Sequence, residues 1–251
     1  RLVIGALFAA AASSVLITLG IVGTLLYESA VFFRTVPLWS FLTDTVWTPL
    51  FDNPRYGVLP LLMGTLVSTA VALLVAAPLG LIAAIYLSEF APHRLREIVK
   101  PALELLSGVP TIVYGFFALL FVTPLLQKII PGLPGFNILS AGIVIGIMIL
   151  PIVVSLSEDA MRAVPQALRD GSLAIGATKY ETAVKVVLPA AFSGVAAAFV
   201  LALSRAVGET MVVAIAAGQQ PNLTLDPRES AATITASTVK PKCWYSCSAG
   251  A

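Results

Sequence analysis

Residues 189–218 read PAAFSGVAAAFVLALSRAVGETMVVAIAAG, and the reading of this stretch decides the fold class. It is apolar for longer than the roughly 20 residues that a helix rising about 1.5 Å per residue needs to cross a hydrocarbon core about 30 Å thick. Yet Arg205 and Glu209 stand near its centre. A charged side chain at that depth costs roughly 2.5–3.5 kcal/mol on insertion scales, so both groups must face a bundle interior or a water-filled path. Spaced four apart on a continuous helix, they would lie one turn from each other on one face. Ala198, Ala202 and Gly208, on or near that face, would let a second helix approach closely.

The rest of the chain agrees with a membrane setting. Of its 251 residues 58% are hydrophobic and 11% charged, and the mean hydropathy is +0.96. Soluble domains are about 45–50% apolar and about 25% charged. This composition excludes a disordered chain, a nucleic-acid binder and an ordinary cytosolic enzyme, and a net charge of +2 gives little pull on polyanions. Five spans are expected, at Leu2–Tyr27, Leu61–Tyr86, Leu105–Leu126, Ile138–Leu156 and Ala190–Ala217, the first four without Asp, Glu, Lys or Arg. The first run exceeds the 7–15 residues, about, of a secretory signal's apolar core and reads as a retained span. The chain begins at Arg1 rather than Met, so preceding residues are expected.

Basic residues set the orientation. With Arg1 in the cytoplasm, eight Lys and Arg fall inside (Arg1, Arg94, Arg96, Lys100, Arg162, Arg169, Lys179, Lys185) and six outside (Arg34, Arg55, Lys128, Arg228, Lys240, Lys242). The outer connections are then Glu28–Pro60 and Lys128–Asn137; the inner ones are Ser88–Glu104 and Ser157–Pro189. Trp39, Phe41, Trp47 and Phe51, with Pro37, Pro49 and Pro54, suit the headgroup level or an extracytoplasmic contact. Pro78, Pro110, Pro124 and Pro151 are expected to break spans, and broken helices in lipid usually face protein or a water path.

The inner connection Ser157–Pro189 is patterned. Pro165 stops a helix, a second is expected over Gln166–Ala174, Gly176 breaks it, and an amphipathic stretch Thr178–Val187 ends at Pro189. A helix–glycine–helix element with charged outer faces fits a groove on another protein. Alternatively, it is a plain connector between spans. Nothing in the chain matches G-x-x-x-x-G-K-[ST], so any ATP hydrolysis belongs to a partner.

Here the sequence resembles a family. Importer-type ABC permeases carry Glu-Ala-Ala, three residues, Gly, nine residues, then Ile-x-Leu-Pro. This chain has Asp170-Gly171-Ser172, three residues, Gly176, nine residues, then Val186-Val187-Leu188-Pro189. Ser204-Arg-Ala-Val-Gly-Glu-Thr-Met211 resembles the R-A-x-G-E-T signature of phosphate importer permeases, and its continuation is similar to PstC-type subunits. Leu106–Gly115, Ser157–Pro165, Gly64–Leu66 and Pro78–Gly80 resemble the same family, over roughly residues 1–236.

The resemblance implies an all-α polytopic transmembrane bundle of MetI-like ABC importer permease fold, in the bacterial cytoplasmic membrane. It implies residues 1–60 as an N-terminal span with an outer loop, 61–236 as the permease core, and 237–251 as an atypical tail. Inorganic phosphate is the implied substrate. Implied partners are a PstA-like permease, a cytoplasmic ABC ATPase dimer and an extracytoplasmic phosphate-binding protein; ATP and Mg would sit on the ATPase, with no cofactor on this chain. Arg205, Glu209 and Thr210 are the implied translocation residues, Arg205 offering its donor fork to an oxyanion while Glu209 holds the fork and offsets its charge. Asp170, Gly171, Ser172, Gly176, Leu188 and Pro189 are the implied ATPase-coupling residues, with no catalytic residue.

Three other readings fit parts of the sequence. The pathway could serve another oxyanion such as sulfate or molybdate; Glu209 could carry a proton in an ion-coupled transporter; or Arg205 and Glu209 could be a buried pair that only fixes helix packing. An intramembrane enzyme finds no Ser–His, Asp–Asp or H-E-x-x-H arrangement in the spans. From Ser237 the sequence departs from the family, where a sixth span is expected, and reads as truncated or frame-shifted. Cys243 and Cys247 are too few for a metal site. His93 reads as a solvated residue, and Asn222-Leu-Thr224 as a chance glycosylation pattern.

Overall fold

The computed structural model describes residues 2–48 and 54–237. Phe51, Pro49, Cys243, Cys247 and residues 238–251 of the tail expected to be atypical from Ser237 lie outside the described residues. Two compact units divide the chain at Leu59. In the first, α1 (Leu2–Thr35) is followed by α2 (Leu38–Thr43) and a two-residue hairpin, β1 (Trp47–Thr48) paired antiparallel with β2 (Arg55–Tyr56). Helix α1 therefore runs eight residues beyond the expected end at Tyr27. Past that end Phe32 meets Phe33, Phe41 and Tyr56 edge-on, with ring centroids 5.2–5.9 Å apart, a geometry that aromatic quadrupoles favour.

Among the described residues the regular elements of the second unit are all helices: α3 (Leu59–Ile85), α4 (His93–Ser107), α5 (Thr111–Phe117), α6 (Thr123–Ile129), α7 (Ile138–Arg162), α8 (Gln166–Ala174), α9 (Lys179–Thr182), α10 (Leu188–Ala190), α11 (Phe192–Val207), α12 (Met211–Ala216) and α13 (Ile234–Ser237). Helix α7 is its centre, with Val144, Ile145, Met148, Ile149 and Val153 almost wholly buried. Helix α3 reaches it through glycine. A Cβ at Gly146 would come within 2.8 Å of the Ala72 carbonyl oxygen, and one at Gly142 within 2.6 Å of Val71 Cγ1. This Gly142-x-x-x-Gly146 step lets two backbones touch where lipid offers no hydrophobic drive. On the other side α11 lays Ala198, Ala202 and Ala206 into the core, so the seam expected at Ala198 and Ala202 is present, while Gly208 is exposed at the helix end.

Four helical segments are long and apolar enough to span a bilayer: Val3–Thr35, Leu59–Phe90, Thr111–Ile129 and Ile138–Arg162. The fifth is corrected. Instead of one helix over Ala190–Ala217, Lys179–Ala190 meets Phe192–Val207 at 73°, and the helix stops again at Gly208 before α12. The third span also begins later than Leu105, because α4 ends at Ser107 and Gly108–Pro110 interrupts the chain.

Of the four prolines expected to break spans, Pro78 and Pro151 sit inside α3 and α7, and Pro110 alone marks an interruption. Pro124 is absorbed by a π-helical turn at Ala118–Val122, and Pro189 by another at Ala183–Val187. A wider turn spares the carbonyl that a proline ring would strike. The stretch from Thr178 thus continues through Pro189 to Ala190, rather than ending there.

The N-terminal end of α7 is closed by its own chain. Asn137 Oδ1 accepts the Ser140 N–H at 2.7 Å, and the N–H groups of Asn137, Ile138 and Leu139 donate to Ala216, Glu229 and Pro227 carbonyls at 2.7–3.1 Å. These donors have no partner within their own helix. Residues 231–236 then return to the core: Ile234 N–H donates to Thr65 Oγ1 at 3.2 Å, and Ala236 is fully buried. Replacing Gly146 with Ala should lower stability by about 1–3 kcal/mol through overpacking. Gly20→Ala, whose Cβ would meet nothing, should leave thermal unfolding in detergent unchanged.

Candidate functional site

Two interruptions inside the apolar zone lie side by side. In the first, α4 ends at Ser107 and α5 begins at Thr111, with Pro110 as its N-cap. In the second, α11 ends at Val207 and α12 begins at Met211. Gly115 on α5 is pressed against α12, where its Cβ would stand 2.9 Å from Ile215 Cδ1 and 3.3 Å from the Met211 carbonyl oxygen. Tyr114, 7% exposed, bridges the first gap by donating its hydroxyl to the Leu106 carbonyl at 2.8 Å. Its ring hydroxyl also lies within electrostatic reach of Arg205.

Depth follows from α7. The Cβ of a residue at Gly194 would stand 2.5 Å from Ala160 Cβ, near the polar end of α7. Arg205, eleven residues on, is about 16 Å further along the axis, close to the middle of the apolar part of α7. The sequence expects Arg205 near the bilayer midplane; in the structure it lies level with the middle of α7.

The expected embrace of Arg205 by Glu209 is corrected. The helix stops at Gly208, so the two are not stacked on one helical face. Glu209, 7% exposed, turns its Oε1 to the N–H groups of Met211 and Val212 at 3.1 and 3.3 Å. The carboxylate thus satisfies the start of α12, where an anion is also favoured by the helix dipole. Its carbonyl accepts the Thr235 hydroxyl at 2.9 Å. Thr210 donates weakly to Gly208 O at 3.5 Å. Among the described residues no carboxylate lies within ion-pair distance of Arg205, and its buried Nε has no hydrogen-bond partner. Beside it Val200, Ser204, Val207 and Met211 form an exposed stripe on α11 and α12.

At the polar end the residues expected to couple to an ATPase form an elbow. Helix α8 has the bounds read from the sequence, Gln166–Ala174, and Gly176 turns the chain at φ +92°, a conformation side chains rarely adopt. Thr178 starts the next helix with a capping box: Thr178 Oγ1 accepts the Glu181 N–H at 3.3 Å, and Glu181 Oε2 accepts the Thr178 N–H at 3.0 Å. That backbone bond, with the Thr178 hydroxyl and Lys185, holds the Glu181 carboxyl below its ordinary value. Ser172 is buried and bonded to Thr182 at 3.0 Å, and Leu188 packs into the core beside it. Asp170 is exposed and accepts from Gln166 at 3.2 Å. Gly171 faces open space, and Pro189 is exposed. Leu168, Leu173, Ile175 and Tyr180 stand 41–87% exposed, an apolar patch on a polar elbow.

Sequence reasoning missed the charges behind this elbow. Glu158 on α7 is fully buried and faces Arg96 Nε at 3.3 Å, Lys100 Nζ at 2.8 Å and Arg162 Nη1 at 3.5 Å. Burial weakens the charge of Lys100, but Asp159 and Glu158 outweigh it and raise its pKa above 10.5. Arg169 on α8 pairs with Glu89 at 3.1 Å. The i,i+4 spacing of Glu158 and Arg162 was a local signal; the pairing across to α4 had none. Among the described residues no group of three His, Cys, Asp or Glu could hold a metal. His93 is exposed and lies 3.3 Å from Glu97, and Asn222 donates to Ser230 O.

The family described as "Binding-protein-dependent transport system inner membrane component" matches residues 76–237. The chain belongs to this family. It is 40% identical to "Probable ABC transporter permease protein YqgH" of Bacillus subtilis over 78% of this chain and 63% of that protein. It is 35% identical to the phosphate transport system permease protein PstC of Mesorhizobium japonicum, over 90% of this chain and 75% of that protein. The MetNI methionine ABC transporter in an inward-facing conformation aligns with a TM-score of 0.49 at 24% identity, over 64% of this chain and 74% of that one. This permease family accounts for a multi-pass all-α chain of MetI-like fold, whose broken spans and polar elbow fall within the matched residues.

Because Glu209 serves the α12 N-terminus rather than Arg205, their substitutions should behave independently. Arg205→Met and Glu209→Gln should change unfolding free energy additively, within about 0.5 kcal/mol. A coupling of several times that size would restore the ion pair.

Proposed function

We propose that this chain is a PstC-type permease subunit of an ATP-driven importer of inorganic phosphate. The observation that carries the reading is the uncompensated Arg205 guanidinium at mid-depth, where two broken helices meet. A lone cation there is costly, and a passing oxyanion relieves that cost while it stays. The planar fork of arginine suits phosphate oxygens. Glu209 already occupies the N–H groups at the start of α12, so the anion meets one guanidinium rather than a full cradle. Binding by a single donor group is weak enough to permit release. Similarity to PstC proteins supports phosphate over other oxyanions.

The partners follow from the chemistry of the two ends. A cytoplasmic ABC ATPase dimer, which holds ATP and Mg, docks on Leu168, Leu173, Ile175 and Tyr180 of the elbow, with Asp170, Gly171, Ser172, Gly176, Leu188 and Pro189 shaping it. A PstA-like permease faces the exposed stripe beside Arg205 across the path and completes it. An extracytoplasmic phosphate-binding protein delivers the substrate. The chain itself performs no catalysis and holds no cofactor, and its N-terminus lies in the cytoplasm. Its membrane is the bacterial cytoplasmic one.

In the complete transporter, Arg205→Ala should cut phosphate uptake roughly 10- to 100-fold, the scale of a lost charge-assisted bond. Arg205→Lys should recover part of it, and the ATPase should still co-purify with both. Unchanged uptake in Arg205→Ala would contradict the reading, and stronger competition by sulfate than by unlabelled phosphate would move it to another oxyanion. Ile175→Glu should abolish ATPase co-purification while leaving membrane insertion intact.

A further inference from the structure

The buried charges behind the elbow form a closed circuit between four helices. Arg169 of α8 places its guanidinium, only 12% exposed, against Glu89 Oε1 at 3.1 Å from Nη2 and 3.3 Å from Nε. The same guanidinium donates to Met161 O at 2.8 Å and to Val164 O at 2.6 Å, carbonyls at the end of α7. Glu89, just beyond α3, also accepts the Ser88 hydroxyl at 3.0 Å. Arg96 of α4 donates to the two carbonyls immediately before it, those of Leu87 and Ser88, and faces Glu158 of α7.

How α8 is attached decides what this circuit does. Within α8 only Ser172 is buried, while its large apolar side chains, Leu168 and Leu173, are exposed. The helix is therefore held to its own chain by directed polar contacts at Arg169 and Ser172, not by an apolar face. Apart from the chain on either side of it, a force on α8 passes through those contacts. From Glu89 it reaches Arg96 through two adjacent carbonyls, and Arg96 moves α4. Helix α4 ends at the interruption that Tyr114 bridges beside Arg205.

We infer that the Glu89–Arg169 ion pair, relayed by Arg96 and anchored by Glu158, is the link that carries displacement of the ATPase-docking helix to α4 and thence to the interruption beside Arg205. These are positioning residues: none touches the transported anion. The inference rests on the reading of α8 as the ATPase dock.

The test uses the complete transporter with its ATPase. Hydrogen exchange read by mass spectrometry compares residues 166–174 and 93–107 with and without a non-hydrolysable ATP analogue. Both segments should respond in the native complex. In Glu89→Gln the response at 166–174 should persist, while that at 93–107 falls by roughly five-fold or more, the scale of a broken coupling between sites. Phosphate uptake per ATP hydrolysed should fall alongside it. Glu89→Asp, which keeps the charge, should restore both readouts. The inference is overturned if residues 93–107 ignore nucleotide in the native complex, if their response survives Glu89→Gln, or if uptake and hydrolysis fall in equal proportion. Exchange needs no anion, so a native complex that moves no phosphate refutes the substrate while the link is still decided. Failure of the native complex to retain an ATPase refutes the dock and the link together.

Discussion

A helix that breaks inside a membrane frees backbone groups that no water can satisfy, and this chain breaks two helices at the same depth. The groups freed there are met one by one. Tyr114 donates to the Leu106 carbonyl, Glu209 accepts from Met211 and Val212, and Thr235 donates to the Glu209 carbonyl. Each partner comes from a different place in the chain, which is why residues 231–236 must fold back into the core. With Glu209 bonded to the backbone, Arg205 has no counter-charge among the described residues. The unpartnered Arg205 Nε is thus a consequence of how the break is closed, and the proposed anion path rests on it.

At the polar end the same logic uses charge rather than backbone. Glu158 is wholly buried among three cations, an arrangement that is costly to form and costlier to break by removing one partner. It fixes α4 to α7 where apolar packing is thin. Helix α8, in contrast, keeps its apolar side chains outward and its polar ones inward. That inversion is what a helix needs if its apolar surface is reserved for a second protein. The small-residue seams, Gly142 and Gly146 against α3 and Ala198 and Ala202 on α11, bring the helices of the bundle into close contact.

Much of this was legible in sequence. Apolar runs marked the spans; Pro165 and Gly176 bounded α8, because proline stops one helix and a positive φ ends the next. Ala198 and Ala202 announced a seam by their spacing. The interruptions were harder to see. Gly208-Glu209-Thr210 sits in an apolar run, and a helix tolerates one glycine for about 1 kcal/mol, so Glu209 read as a helical neighbour of Arg205. Pro110 reads as a break and is one, but the span expected from Leu105 begins too early, because leucines on both sides hide where Gly108 and Pro110 interrupt the chain. Pro124 and Pro189 read as breaks but were absorbed by π-turns, which depend on neighbouring packing. The Thr178–Glu181 capping box follows a local pattern, whereas the meeting of Arg96 and Glu158, 62 positions apart, is fixed by tertiary packing alone.

The proposed pathway requires the face beside Arg205 to border water and not lipid. The direct test places a cysteine at exposed Ser204 in the assembled transporter, with Cys243 and Cys247 replaced by Ser, and measures its reaction with a charged, membrane-impermeant thiol reagent. The account predicts that Ser204→Cys is modified and that phosphate slows the modification. A thiol that ignores the charged reagent but reacts with a lipid-soluble one would place this face in hydrocarbon and contradict the account.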